Sequence, residues 1–502
     1  MNTPQSQSTA YAADTFINKI YDVVIVGAGP VGLATAIGLR KRGIENILVI
    51  DQARAFRQVG QVVDLLPNGL KALKYVDPHA YEAVKTASFT FVNSPQPDKE
   101  QTAEVTEKNP PKPSQEWVSK NFQGKKVRSI SLSFDVWFQN YGEGRVSISW
   151  YDLQSTLRKL LPEDQVKPNH RCINIVDEPE LGCVRLDCLS DASVEANPYA
   201  YWADGQKNND PLGQNLDSVY QSSVTKSFRA KIAIAADGIN STVRRLLYAD
   251  SPYQSFAKPE YSGFAAIFCR EIPDIPKELR SHLEEKFFAG SPILTVTNYE
   301  LASEQSFSQC PRMLLLNRQS ISYLVHLPVP LNSLQSESGN ELINLALQEL
   351  EKAGYPDELK QLVQLSPPEN MLQRPYYIHR ATGAENIFPA WSAGRIILVG
   401  DAAHGMPPFM AQGANQGLED AMAVTTLINH IAKENNWDNK QAIATAFEKY
   451  EHLRRPFMEY IQAATLTQFP SSSEQQWQEY NQKVYTRNFD QIITELQPIS
   501  HK

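Results

Sequence analysis

Hydrophobic positions along the chain follow two rhythms. YDVVIV (Tyr21–Val26) is a short β-branched run with the character of a strand buried on both faces. It passes through GAGPVG into a helical pattern that lasts to about Arg42, with Gly43 as the stop, and then into a second apolar run, ENILVID. Parallel strands need a crossover helix, so this stretch predicts one βαβ unit. The strand-to-turn signal returns in RAKIAIAADGINSTVRRLL (Arg229–Leu247) and in RIILVGDAAHGMPPFMAQGANQGLEDA (Arg395–Ala421). In the latter, Pro407 and Pro408 break any helix and Gln412-Gly413-Ala414 opens one, after which the pattern stays helical to about Ala464. A polar tail of helices follows.

Between Tyr261 and about Tyr377 the rhythm changes to short strands, SGFAAIFC, ILTVTN, RMLLLN and SYLVHLPV, and a helix near Glu341–Ala353. This predicts a second, sheet-bearing domain inserted into the first. The fold class is α/β: a Rossmann-like dinucleotide-binding domain (20–85, 146–255 and 371–445) interleaved with a mixed-sheet substrate domain (86–145 and 256–370), plus a C-terminal helical segment (446–502). Two stretches, Ser94–Gln115 and Asp191–Ser227, are too polar to bury much and are expected as surface insertions.

Composition narrows the class. With 502 residues the chain is long enough for two or three domains, and 42% apolar with 21% charged residues is ordinary for a globular protein. A net charge of −8 without a Lys/Arg tract argues against nucleic acid as a partner. Five cysteines, an odd number with no C-x-x-C pair, point to reduced thiols and a cytoplasmic setting. There is no leader-like N-terminus and no apolar run of about 18 residues to span a bilayer. Peripheral membrane contact stays open, as do monomer and homodimer.

The chemistry sits in the turns. Gly27, Ala28, Gly29, Val31 and Gly32 lie in a G-x-G-x-x-G turn between strand and helix, where a pyrophosphate can approach the backbone and the helix N-terminus. Asp51 ends the next strand 24 residues after Gly27, where an acidic side chain can accept from a ribose hydroxyl. Asp237-Gly238 ends a further strand before Ser241 and Arg244; a helix-capping role is the plain alternative there. Asp401 ends the last strand. A carboxylate buried at that point needs partners, and a ligand hydroxyl is the candidate. Free N–H groups at the helix opened by Gln412, Gly413 and Ala414 would suit an anionic ring edge. No metal-ligating pattern is present.

Together these stretches resemble the three FAD motifs of the group A flavoprotein monooxygenases, the para-hydroxybenzoate hydroxylase fold: GAGPVG the glycine motif, ADGINS the Asp-Gly motif, and GDAAHGMPPFMAQGANQGLEDA the Gly-Asp motif. KYEHLRRPF (Lys449–Phe457) is similar to the helix that follows in that family. The resemblance implies that Asp401 binds the ribityl chain, that Gln412, Gly413 and Ala414 face the N1/O2 edge of the isoalloxazine, and that Pro408 lies against the flavin face where oxygen reacts. Asp237 and Gly238 would touch the ribose or pyrophosphate side. His404 is expected as a structural hydrogen-bonder. Asp64 resembles an aspartate that approaches the cofactor in the tetracycline-degrading members. The family often carries Glu-Arg where this chain has Asp51-Gln52, so Arg54 or Arg57 would have to supply the charge, and Arg57 matches a family arginine. Trp150 occupies a slot where the family tends to place an arginine, and Ala411-Gln412-Gly413 replaces the common Gly-Gln-Gly.

The implied activity is NADPH- or NADH-dependent hydroxylation or epoxidation, by O2 through a flavin C4a-hydroperoxide, of a small, largely apolar aromatic or polyene substrate. No acid or base is nominated, and Tyr261, Tyr299, Tyr323 and His326 in the substrate strands are expected as core. A flavin reductase, dehydrogenase or oxidase is the nearest alternative. A halogenase is disfavoured because no W-x-W-x-I-P stretch is present. A non-catalytic binding protein on the same fold is disfavoured by retention of all three motifs.

Overall fold

The computed structural model describes residues 19–53, 61–89, 116–191, 223–299, 310–317, 320–334, 337–383, 387–467 and 474–496. Arg54, Arg57, Gly60 and the whole of 94–115 lie outside the described residues. Strand β1 (Ile20–Val26), helix α1 (Pro30–Lys41) and strand β2 (Ile47–Ile50) form the expected βαβ unit, with β1 and β2 in parallel register. On the other side of β1 runs β3 (Ser223–Ala235), also parallel, followed by β4 (Ile396–Leu398). β1, β2, β4 and the end of β3 (Ile232–Ala235) are largely buried on both faces, which is why these stretches read as continuous apolar runs rather than alternation. The stretch read as an insertion at Asp191–Ser227 is strand at both ends. Cys183–Asp191 pairs antiparallel with β3 and Ser223 lies opposite Asp191, so only 192–222 falls outside the description.

A second sheet of seven strands runs in the order Met371–Ile378, Glu260–Ile272, Ile321–Leu327, Arg312–Asn317, Ile293–Thr297, Glu116–Lys120, Lys126–Ser131. All neighbours are antiparallel except Ile293–Thr297 with Glu116–Lys120. Met371–Ile378 lies in this sheet, so the sheet continues past residue 370. Strand alternation divides its residues by face. Ala265, Ile267, Met313, Leu315, Tyr323 and Val325 pack under the helices Asn340–Lys352 and Asp357–Gln364. Phe264, Ala266, Phe268, Leu324 and Tyr376 form the opposite face and meet Phe409 from the other domain.

The helical pattern after Gln412 divides into α2 (Gly413–Lys433) and α3 (Lys440–Thr467), with Asn435 at φ 51° in the connection. Helix α2 is the spine of the first domain. It packs on α1 and on Pro67–Val76, and 15 of its residues are buried. The C-terminal helices Glu474–Tyr485 and Phe489–Leu496 close over this side of the molecule. All five cysteines are buried and unbridged. No helix of the described residues is long and apolar enough to cross a membrane.

Candidate flavin site

The glycine turn is shaped by contacts on its inner side. Gly27 has φ 108°, and a Cβ there would stand 2.3 Å from the Ala236 carbonyl oxygen, so the turn tolerates no side chain at this position. Asp51 reaches back beneath the turn. Its carboxylate accepts from the N–H of Ala28 at 2.6 Å and of Ala53 at 2.7 Å; burial raises its pKa and these two bonds oppose the rise. Gln154 donates to the Ala28 carbonyl at 2.7 Å. Outward from Gly29 the space is open except for the Trp150 ring, whose Cζ2 would stand 4.0 Å from an added Cβ. Trp150 therefore lies over the turn, where its sequence position had suggested a missing cation.

Asp237 is a cap. It accepts from Ser241 Oγ at 2.6 Å and from the N–H groups of Thr242 and Val243 at 2.7 and 3.2 Å, at the start of the helix Thr242–Tyr248. Arg244 on that helix is fully buried and donates to three carbonyls: Phe256, Ala402 and Ala403, each at 2.8 Å. Burial pushes its guanidinium down to about 10. His379 makes a second tie. Its Nε2–H donates to Ile239 at 2.8 Å, and its own N–H donates to Gly405 at 2.8 Å. The Asp-Gly and Gly-Asp turns are thus held together by one arginine and one histidine.

Asp401 differs from both other aspartates. Its side chain still meets solvent, yet protein surrounds it closely enough for burial to raise its pKa, with the charge of His404 opposing and that of Asp420 adding to the rise. Among the described residues none donates a hydrogen bond to this carboxylate. The neighbouring groups are all engaged elsewhere. Gly400 N–H and His404 Nε2 both bond Asp420 Oδ2 at 2.7 Å, and Arg454 Nε bonds Asp420 Oδ1 at 2.7 Å. His404 is the structural hydrogen-bonder expected from sequence.

Helix α2 begins beside Asp401: a Cβ on Gly413 would find only Asp401 Oδ1, at 3.7 Å. Its first N–H groups have no intrahelical partner. The helix start is fixed from behind by a buried polar network. Asn68 donates to Gln412 Oε1 at 3.0 Å and to Glu419 Oε1 at 2.8 Å, and Gln416 donates to the same two oxygens. Glu419 Oε2 takes Arg454 at 2.7 Å and also Arg487. Asn415 ties the helix to the strand Val62–Leu65 through Asp64 O and Leu66 N–H. The Asp64 carboxylate is held by Arg145 at 2.7 Å and by Ser147 Oγ. Val31 packs where a side chain on Gly400 or Gly417 would stand, which locks the glycine motif to the last one.

Across from Pro408, the exposed end of a short turn, stands the second sheet. Phe409 contacts Phe264, His326 and Tyr376 edge-on at 5.2, 5.1 and 5.6 Å, and the Arg312 guanidinium lies 4.2 Å over its ring. Tyr376 and His326 are 3.3 Å apart through OH and Nδ1. Burial, helped by Arg312, holds the imidazole neutral. Tyr323 is core under the helices and bonds Ser366, while Tyr261 bonds the Val329 carbonyl. His326 departs from its expected place: it is on the opposite face, towards the other domain. Arg312, Tyr376 and Phe409 were not singled out from sequence; the alternation within RMLLLN and SYLVHLPV is the signal that puts Arg312 and His326 on that face. No group of three or more His, Cys, Asp or Glu among the described residues could hold a metal ion.

The residues fit a flavin dinucleotide. The turns at Gly29, Gly238 and Gly413 have open outer sides, the helix starts at Pro30 and Gly413 follow two of them, and Asp401 is a carboxylate without a protein donor among the described residues. Comparison with known proteins points the same way. A family model described as an FAD binding domain matches residues 20–61 and 346–465. The chain is 24% identical over 442 residues to 6-hydroxynicotinate 3-monooxygenase of Bordetella bronchiseptica, covering 86% of this chain and 87% of that one. It is also 24% identical over 439 residues to 3-amino-4-hydroxybenzoate 2-monooxygenase PtmB3 of Streptomyces platensis, covering 86% and 84%. A salicylate hydroxylase substrate complex shares the fold with a TM-score of 0.62 at 17% identity, over 96% of this chain and 99% of the other. Three motifs far apart in sequence are packed against one another, and relatives matching along most of their length are named monooxygenases: the comparisons support the group A FAD-dependent monooxygenase family for this chain.

Proposed function

We propose that the protein uses NAD(P)H and O2 to hydroxylate or epoxidise a small, largely apolar substrate, held between the flavin and the aromatic face of the second sheet. The first sheet and its helices would carry the FAD, and the seven-stranded sheet would carry the substrate. When bound, FAD supplies the redox and oxygen-transfer chemistry; the protein supplies position, dryness and fixed charge. Asp401 would hold a ribityl hydroxyl. The start of α2 would stabilise negative charge on the ring edge through its N–H groups. The pyrophosphate would lie along Gly27–Gly32, with Asp51 towards a ribose and Asp237 on the ribose or pyrophosphate side, while Asp64 would approach the cofactor from the strand tied to the start of α2.

The observation that carries the substrate reading is the wall formed by Phe264, Phe268, Leu324, His326, Tyr376 and Phe409. It is apolar and aromatic, with a neutral imidazole and a phenol as its polar groups and Arg312 against it. Such a surface takes a flat ring or polyene and can orient one oxygen or nitrogen on it. The two relatives named above act on hydroxylated rings, which favours the aromatic arm. The test is NAD(P)H consumption, with peroxide measured in parallel, across a panel of phenols, quinones and polyenes. A ring compound should raise consumption without a matching rise in peroxide. Peroxide equal to NAD(P)H consumed for every compound would point instead to an oxidase.

A further inference from the structure

The C-terminal helices are outside the three FAD motifs, yet a residue of the link between them reaches the centre of the polar network behind α2. Arg487 passes over the Phe457 ring, 3.9 Å from its guanidinium, and pairs with the buried Glu419. The same carboxylate bonds Asn68, Gln416 and Arg454, and two of these side chains also hold Gln412 at the helix start. Tyr485, two residues before Arg487, is buried within hydrogen-bonding reach of Gln412. Carboxylates at Glu419 and Asp420 face guanidiniums at Arg454 and Arg487, and His404 also bonds Asp420. Glu419 is six residues beyond Gly413, or about 9 Å along the helix axis.

We propose that Arg487 is a positioning and charge-balancing residue for the flavin: by neutralising Glu419 it keeps the start of α2 favourable to the negative charge that the ring gains on reduction. The inference rests on the placement of the ring edge at the start of α2. Without Arg487, one carboxylate in the network is unbalanced, and its field at about 9 Å through protein opposes reduction. Loss of Glu419 instead leaves a guanidinium in excess and favours reduction. At an intermediate effective dielectric this interaction alters the ratio of reduced to oxidised flavin by roughly three- to tenfold. For a two-electron couple that is about 15–30 mV.

The experiment is a dye-coupled redox titration of the FAD-loaded full chain. Arg487→Gln should move the flavin potential to more negative values and Glu419→Gln to more positive ones. The double variant should return close to the starting protein, and Arg487→Lys should recover most of the shift. A purely structural role would move both single variants the same way through loosened packing. That result, or an unchanged potential in FAD-loaded Arg487→Gln, overturns the proposal. Should Arg487→Gln fail to fold, Glu419→Gln decides alone: a potential at or below that of the starting protein overturns it. Failure of the underlying site would be visible separately, as FAD affinity insensitive to Asp401→Ala.

Discussion

Asp237 and Asp401 both follow parallel strands, but their carboxylates meet different fates. Asp237 is saturated by a hydroxyl and two N–H groups of its own turn. Asp401 has no donor among the described residues and faces the open side of the α2 start. A hydrogen bond to a charged group contributes about 1.5–3 kcal/mol, or roughly 10- to 150-fold in affinity. Asp401→Ala should therefore weaken FAD binding by that factor. Asp237→Ala should chiefly lower stability, by the ~0.5–2 kcal/mol of a lost cap. FAD titration of both apo-proteins, with unfolding curves, checks the ranking; equal losses of affinity would contradict it. Asp401 was legible in the sequence because strand, turn and helix signals frame it within a few residues. Arg487 was not, because its partner Glu419 is 68 residues away and nothing local to Arg487 signals a buried role.

At the scale of elements, the two aspartate turns are fastened by Arg244 and His379. His379 is 2% exposed, and burial, reinforced by the Arg244 charge, pushes its pKa down to about 3. The unfolded chain takes up this proton below about pH 6.5, whereas the folded chain resists it until about pH 3. Stability attributable to this group is thus full above pH 7 and falls as pH drops from about 6.5 towards 3, by a few kcal/mol in all. His379→Gln keeps an N–H donor for the Ile239 carbonyl and removes the titration. Urea midpoints between pH 4 and 8 should slope less in that variant; an unchanged slope would assign the acid sensitivity elsewhere. The βαβ unit, β3, β4 and the substrate strands were legible because buried parallel strands and alternating antiparallel strands each have their own period. The six-residue interruption between α2 and α3 was not, because Asn435 supplies the left-handed turn without glycine or proline. The strand ends flanking 192–222 were hidden by a polar composition that read as loop.

At the scale of the molecule, a flavin would lie between a mixed sheet with a parallel centre and a mainly antiparallel sheet that presents an aromatic wall. The sequence holds one G-x-G-x-x-G turn, so on the proposed reading a nicotinamide would reach the ring from an open side rather than from a second unit of this kind. A substrate seated on the wall can favour a reducible flavin position only through its differential affinity for it. A ~100-fold acceleration of reduction would correspond to ~2.7 kcal/mol of such preference. Anaerobic stopped-flow bleaching of the flavin by NAD(P)H should accelerate strongly with an accepted substrate. Equal, fast bleaching with and without it would argue for a reductase or oxidase.

The strands of the second sheet were legible from the change of rhythm near Tyr261, but the aromatic wall was not, since it joins Phe409 to strands whose residues come from Phe264, Arg312, His326 and Tyr376. Whether that wall serves oxygen transfer is the central claim. Its most direct test is a turnover under oxygen-18 gas with the best compound from the substrate panel. One labelled atom should appear in each product molecule, with NAD(P)H consumed in equal amount. Product without label, or NAD(P)H recovered entirely as labelled peroxide, would contradict it.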